Sequence, residues 1–140
     1  MRVLLDTNVV LDFLLDRDPF SNSAAALWKA SQEGKVEAYI SVITPVNVFY
    51  IAKKLKGVTA ARQSVLSLLA ACRVCAPSHE AMLSALCLPL KDYEDAVQVV
   101  SAQIEQLDAL VTRDPNDFTG ITLLVLSPAA LLARLPGNPL

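Results

Sequence analysis

The chain has 140 residues, of which 54% are hydrophobic, and its formal net charge is −2. This length is usual for one domain, and we expect a single domain over residues 1–140 with a substantial core. No apolar run reaches the ~18 residues of a membrane span, and an acid as early as Asp6 argues against a signal peptide, so we expect a cytoplasmic protein. The charge also argues against tight nucleic-acid binding by phosphate neutralisation alone.

Short apolar runs alternate with helical patterns along the chain. In chain order, the pattern predicts a strand at 3–5, helices at 9–15 and 21–32, a strand at 37–42, helices at 44–56 and 60–71, a strand at 73–76, helices at 78–88 and from 92 onwards, strands at 109–112 and 121–126, and a last helix from 128. The tail from Pro136 to Leu140 is expected to fray. Strands that alternate with helices predict an α/β fold with a mostly parallel sheet.

Acidic residues follow two predicted strands and open one predicted helix. Asp6 ends the first strand, Asp114 follows the fourth, and Asp95 lies in the first turn of the helix that begins at Asp92. Because the carboxyl ends of parallel strands meet at one sheet edge, where ligands bind, we expect these acids to lie close together. Carboxylates gathered without a histidine cluster suit the hard cations Mg²⁺ or Mn²⁺. Such a cation can polarise a phosphodiester and activate water.

Each acid also has a purely structural interpretation. Asp6 could cap the helix after the first strand, and Asp92 with Asp95 has the spacing of a capping box. Residues 114–117, with the sequence Asp-Pro-Asn-Asp, form a good turn. The coincidence of three such acids at one sheet edge favours a site over three separate structural roles.

At these acids the chain resembles the PIN-domain family, and the resemblance covers nearly the whole chain in order. Four motifs carry the resemblance. The first, Val3-Leu4-Leu5-Asp6-Thr7-Asn8-Val9, is similar to the family's opening strand and first acid, and the second, Ser41-Val42-Ile43-Thr44, leads into a helix that normally carries a second acid. The third, Asp92-Tyr93-Glu94-Asp95-Ala96, resembles a helix start of the family, and the fourth, Thr112-Arg113-Asp114 with Asp117-Phe118, resembles its closing motif. One of these motifs alone is weak evidence, whereas four in the correct order are strong evidence.

The resemblance implies a three-layer α/β/α sandwich, with a central, mostly parallel sheet of about five strands, and a metal-dependent endoribonuclease that cleaves RNA. Many small bacterial members, the VapC-like ones, are toxins, so an antitoxin partner and a homodimer are also implied. The implied catalytic residues and metal ligands are Asp6, Asp95 and Asp114, with Asp117 as an accessory ligand or turn residue. Hydrogen bonds from Asn8 and Thr112 would support the site, as would Asp92 at the helix start.

The chain departs from the family at Asn47, near the position where the family commonly has Glu or Asp. Asn47 can offer a neutral carbonyl oxygen to a metal or a water, or it can reach back to cap the backbone at Thr44. The alternative function is therefore a catalytically weak or inactive PIN-like module that binds RNA or a protein partner. A third reading, a phosphatase or phospho-acceptor domain that uses Asp6, is disfavoured because the Asp6-Thr7-Asn8 strand end lacks a second acid.

Basic residues offer two candidate RNA contacts. Lys91 and Arg113 flank proposed ligands and could contact a scissile phosphate. A small basic cluster follows the third helix and is interpreted as a solvated face; it consists of Lys53, Lys54, Lys56 and Arg62.

The three cysteines, together with His79, could be imagined as a zinc site. Residues 73–76 read better as a strand, however, and alternate strand residues face opposite ways, so Cys72 and Cys75 would not share a face. Buried thiols that act as small hydrophobes are the preferred interpretation.

Overall fold

The computed structural model describes residues 1–137. Its strands are β1 (Arg2–Leu5), β2 (Glu37–Ser41), β3 (Arg73–Cys75), β4 (Ala109–Val111) and β5 (Val125–Leu126). Its helices are α1 (Thr7–Leu14), α2 (Ser21–Gln32), α3 (Ile43–Lys56), α4 (Val58–Ala71), α5 (His79–Ala85), α6 (Tyr93–Ile104) and α7 (Pro128–Arg134), and a 3₁₀ turn at Pro115–Phe118 follows β4. The alternation of strands and helices that the sequence predicts is therefore confirmed.

The strands form one sheet in the order β3-β2-β1-β4-β5, and every pairing is parallel. The chain moves outward from β1 through β2 to β3, and it then crosses back to place β4 on the other side of β1. The strand order therefore reverses between β1 and β4. In open α/β sheets, ligands bind at such a switch point, outside the carboxyl ends of the strands.

Helices cover both faces of the sheet because successive strand residues point to opposite sides. Val3 and Leu5 of β1 pack into a core that includes residues of α1–α4 and α7. Leu4, between them, packs on the other side with Val99 of α6, and a further cluster joins α5 to α6. These two cores confirm the expected three-layer α/β/α sandwich around a five-stranded sheet.

Some boundaries differ from the sequence pattern. The strand expected over 121–126 forms only at Val125–Leu126, which is β5, because the short strand β4 pairs with these two residues alone. Ile121 and Leu123 instead pack against the core on the α6 side, so their apolar character serves packing rather than strand pairing. The helix expected from residue 60 begins at Val58, directly after Gly57, whose φ of 88° makes the corner between α3 and α4.

The expected fraying of the tail concerns residues 138–140 in part, and these lie outside the described residues. Within residues 1–137, none of the helices combines the length and the apolar character that crossing a membrane requires.

Candidate active site

A cleft of about 570 Å³ opens where the carboxyl end of β1 meets the start of α6 and the turn after β4. Five carboxylates line it: Asp6, Asp92, Glu94, Asp95 and Asp117. Three separate segments of the chain supply these acids, as the sheet topology requires. The cleft therefore lies at the switch point of the sheet, and its lining is strongly acidic.

Asp6 is the innermost of these acids and is only 7% exposed. Its Oδ1 accepts a hydrogen bond from Gln98 Nε2 at 2.9 Å, and its Oδ2 accepts one from Thr112 Oγ1 at 2.8 Å. The side chain makes no capping hydrogen bond to α1, so a helix cap is not its role. Burial, followed by the charge of Asp114, raises the pKa of Asp6, against hydrogen bonds from Gln98, Thr112 and the Thr7 backbone that lower it.

Thr112 and Asn8 tie the turn after β4 to the end of β1. The Thr112 hydroxyl, which donates to Asp6, also accepts a hydrogen bond from the Asp114 backbone N–H at 3.1 Å. Asn8 Nδ2 donates to Asp114 Oδ2 at 3.3 Å, and Asn8 Oδ1 accepts from the Arg113 N–H at 3.4 Å. Asp114 is exposed and stands beside the cleft rather than among its lining residues. Its carboxylate is nevertheless held at the cleft's edge.

The start of α6 brings two roles together. Asp92 caps the helix, since its Oδ1 accepts from the Glu94 N–H at 2.8 Å, as the structural interpretation proposed. Asp95, the residue after Glu94, lines the cleft and is partly buried. Burial and then the like charges of Asp6, Asp92, Asp117 and Glu94 raise the pKa of Asp95 to about 7. A neighbouring cation would oppose this shift and favour the ionised form of the carboxyl.

Asn47 points into the cleft instead of back to its own helix backbone. Its Nδ2 donates to Glu94 Oε1 at 2.7 Å, and Thr7 Oγ1 approaches the same oxygen at 3.5 Å. Burial, followed by the charges of Asp92 and Asp6, raises the pKa of Glu94, while the two hydrogen bonds lower it. The position of the missing acid is thus occupied by an amide that contacts a neighbouring carboxylate.

Two arginines form the basic wall of the cleft. Asp12, only 2% exposed, pairs with Arg17 Nε at 3.0 Å and with Arg113 NH1 at 3.5 Å. The Arg113 guanidinium also lies over the Phe20 ring, 4.1 Å from its centroid. Both arginines line the cleft beside the acids. One buried carboxylate therefore orients two cations, which leaves a net positive charge at this wall.

Lys91 lies outside this cleft. It lines a neighbouring cleft of about 440 Å³ that shares Asp92, Asp95 and Asp117 with the first. The structure therefore places Arg113 beside Asp6, and it places Lys91 on the far side of Asp95 and Asp117.

Several residues of the site carried no assigned role in the sequence. Gln98 lies three residues after Asp95, a spacing that places both on one helix face and that could have revealed it. Its side chain is 1% exposed and donates to Asp6 through Nε2, whereas its Oε1 has no hydrogen-bond partner among the described residues. A buried acceptor without a partner costs about 1–3 kcal/mol of stability. Asp12 is a charged residue inside the apolar helix α1, and this position is the signal that its buried carboxylate pairs with a cation.

The remaining candidates lie away from the cleft. Cys72 and Cys75 are buried in different cores on the two sides of the sheet, whereas Cys87 is exposed. Burial raises the pKa of Cys72 to about 12 and, with a smaller contribution from Glu105, that of Cys75 to about 11. These two thiols are therefore neutral, as small hydrophobes are. The basic cluster is exposed and includes three lysines in the last turn of α3, where cations suit the helix dipole.

The donor set suits a hard divalent cation. Carboxylate oxygens dominate the cleft, and no histidine or cysteine lines it. Within residues 1–137, no three His, Cys, Asp or Glu side chains stand in a ready-made coordination sphere. The carboxylates around Asp95 raise its pKa by like-charge repulsion, and a divalent cation between such groups would relieve that repulsion.

The sheet order and the acidic switch point define an α/β domain with a cluster of carboxylates at its ligand-binding edge. The sequence also matches the family model described as PIN domain over residues 2–116. The chain therefore belongs to the PIN domain family. No curated protein matches the chain.

Solved structures with the same fold come from several bacteria. A toxin–antitoxin complex from Klebsiella pneumoniae is 25% identical, with a TM-score of 0.67, and the match covers 90% of this chain and 97% of that one. VapBC2 from Rickettsia felis, bound to a promoter DNA fragment, is 20% identical, with a TM-score of 0.67 and coverage of 91% and 98%. VapC20 from Mycobacterium tuberculosis, described as a sarcin–ricin loop cleaving toxin, is 15% identical, with a TM-score of 0.64 and coverage of 77% and 86%.

Proposed function

We propose that the chain is a metal-dependent endoribonuclease that hydrolyses RNA phosphodiester bonds with Mg²⁺ or Mn²⁺ as its cofactor. The observation that carries this proposal is the convergence of carboxylates from three segments on one cleft at the switch point of a PIN fold. The description of VapC20 as a toxin that cleaves the sarcin–ricin loop supports RNA as the substrate class.

In this proposal Asp6, Asp95 and Asp114 hold the cation, and Asp117 assists from the turn. A divalent cation supplies Lewis-acid polarisation of a phosphodiester and makes water a better nucleophile. Gln98 and Thr112 fix both oxygens of Asp6, so that carboxylate does not need to reorganise when the cation binds.

The basic wall of the cleft would position the RNA. Arg113 and Arg17 are held by Asp12, and their guanidinium groups can bind phosphate oxygens in a fixed geometry. Lys91, at the neighbouring cleft, would contact a phosphate further along the strand. This division of charge lets an acidic protein bind RNA, because cations cover the acids while the arginines bind the backbone.

A cleavage assay on a labelled single-stranded RNA tests the proposal. Wild type should cleave with Mn²⁺ and stop with EDTA, whereas Asp6→Asn and Asp95→Asn should lose the activity and stay folded. Glu80→Gln is the matched control, because Glu80 is an exposed acid on α5 away from the cleft, and it should behave as wild type. Equal cleavage by wild type and Asp6→Asn would show that a contaminating nuclease cuts the RNA.

We further propose that the chain is the toxin of a toxin–antitoxin pair and forms a homodimer. Two of the matching structures described above are toxin–antitoxin complexes by their descriptions. The surface of α3 and α4 exposes large apolar side chains that a partner could cover: Val46, Tyr50, Leu55, Leu66 and Leu69. Large apolar side chains that a partner covers are typical of a protein interface.

Co-expression with the product of the adjacent reading frame tests this role. The two proteins should co-purify, and the partner should suppress RNA cleavage. Leu66→Glu, on the exposed surface of α4 and outside the acidic cleft, should weaken the complex but leave Mn²⁺ binding unchanged if the partner docks there. A cleaving enzyme that no neighbouring protein binds would overturn the toxin role and leave the nuclease proposal intact.

A further inference from the structure

We propose that Glu94 is a further carboxylate ligand of the divalent cation and that Asn47 holds it in position. This inference rests on the proposed metal site and adds a ligand to which the sequence motifs give no role. In this inference Asn47, which stands where the family commonly has an acid, positions the neighbouring acid Glu94 by a hydrogen bond.

The contacts of Glu94 turn its side chain inward. Glu94 is the second residue of α6, where an acid usually remains in solvent and interacts with the helix N-terminus. Here it is half-buried and lines the same cleft as Asp6 and Asp95. Asn47 Nδ2, on α3, donates to its Oε1 at 2.7 Å. The side chain therefore bridges two helices across the cleft instead of serving the end of its own helix.

A second contact reaches Glu94 from β1's end. Thr7 Oγ1 lies 3.5 Å from Glu94 Oε1 and 3.1 Å from the buried Thr44 Oγ1. Both donors to Glu94 found among the described residues thus reach the same oxygen, so neither of these hydrogen bonds occupies Oε2. Donors that hold one oxygen of a carboxylate while the other meets the metal are the usual support of a ligand.

The acidic surroundings of Glu94 would favour a cationic partner. No Lys or Arg forms an ion pair with it among residues 1–137, and Asp6, Asp92 and Asp95 lie around the same cleft. The neutral amide of Asn47 orients the carboxylate but cannot neutralise it. An acid at position 47 would have repelled Glu94, whereas Asn47 allows it to approach. The pair therefore supplies one carboxylate to the site, from α6 rather than from α3.

Calorimetric titration with Mn²⁺ alone tests the assignment without any need for catalysis. Glu94→Gln keeps the size of the side chain and an acceptor for Asn47, and Glu80→Gln is the matched control on α5. Glu94→Gln should weaken Mn²⁺ binding by at least roughly 10–100-fold, the loss that removal of a group supporting a metal ligand already causes, and Glu80→Gln should not. The ratio should persist at high ionic strength, since salt screens a distant charge much more than a ligand contact.

The double variant Asn47→Asp with Glu94→Gln guards against a folding artefact. It keeps the net charge and reverses the hydrogen bond, so it should recover part of the affinity that Glu94→Gln loses. Wild-type affinity in Glu94→Gln, a loss that disappears at high salt, or a double variant no tighter than Glu94→Gln would overturn the assignment. Wild type that binds Mn²⁺ but leaves RNA intact would overturn the nuclease proposal alone, and wild type that binds no Mn²⁺ would overturn both.

Discussion

Replacing Asp95 with Asn should stabilise the metal-free protein while it destroys the proposed metal site. The pKa of Asp95 rises from 3.8 to about 7, chiefly through burial and then through its acidic neighbours. The folded state therefore holds a proton that the unfolded chain releases between these two values. Because the folded state binds more protons in this window, its stability falls as the pH rises from about 4 to 7 and is then constant.

The size of the gain follows from the same shift. A difference of about 3 units at about 1.4 kcal/mol each gives an upper limit of roughly 4 kcal/mol. Asp95 is only partly buried, so solvent screening reduces this to about 1–2 kcal/mol. Asn also loses the favourable charge in the first turn of α6, which offsets about 0.3–1 kcal/mol. We therefore expect Asp95→Asn to gain about 1 kcal/mol above neutral pH.

Urea unfolding in EDTA, followed by circular dichroism, measures the gain. The free energy of unfolding of Asp95→Asn should exceed that of wild type at about pH 8, and the difference should shrink several-fold towards about pH 4.5. Glu80→Gln, an exposed acid with no acidic cleft around it, should show no such difference. A gain that is absent at the higher pH, or equal at both, would refute the electrostatic reasoning.

Three further outcomes are expected. Thr112→Val should cost about 1–3 kcal/mol in urea unfolding, because Oδ2 of buried Asp6 loses the hydrogen bond from the Thr112 hydroxyl; exposed Thr119→Val should cost nothing measurable. Arg17→Ala should weaken RNA binding by catalytically inactive Asp6→Asn and lower the slope of log affinity against log salt by about one phosphate contact; an unaltered slope would remove Arg17 from the RNA path. Leu68→Ala, fully buried between α4 and the sheet, should cost about 2–5 kcal/mol without altering the Mn²⁺ affinity of the folded protein.

The fold was accessible from the sequence because its signals are local. Apolar strands, caps and turn residues repeat at short range, and the order of strands and helices is enough to predict a parallel sheet. Of the acids that the motifs single out, Asp6, Asp95 and Asp117 line one cleft and Asp114 lies beside it, since sheet topology brings strand ends together; their role as metal ligands stays a prediction. Where the pattern failed, at residues 121–124, an apolar run packs on the core without a partner strand. Periodicity does not separate these two uses of apolar residues.

The finer geometry of the site was not accessible from the sequence. The contact between Asn47 and Glu94 spans 47 positions, and the contact between Gln98 and Asp6 spans 92. Such contacts depend on how α3 and α6 pack against the end of β1, which no short-range pattern encodes. The departure at Asn47 was visible, but its consequence required the position of a second side chain.

The most direct test of the central claim compares Mn²⁺ binding and RNA cleavage in one preparation. The calorimetric dissociation constant for Mn²⁺ should equal the Mn²⁺ concentration that gives half-maximal cleavage, and Asp6→Asn should lose both while Glu80→Gln retains both. Cleavage that persists in Asp6→Asn, or Mn²⁺ binding that leaves the cleavage rate unchanged, would contradict a metal-dependent ribonuclease site at this cleft.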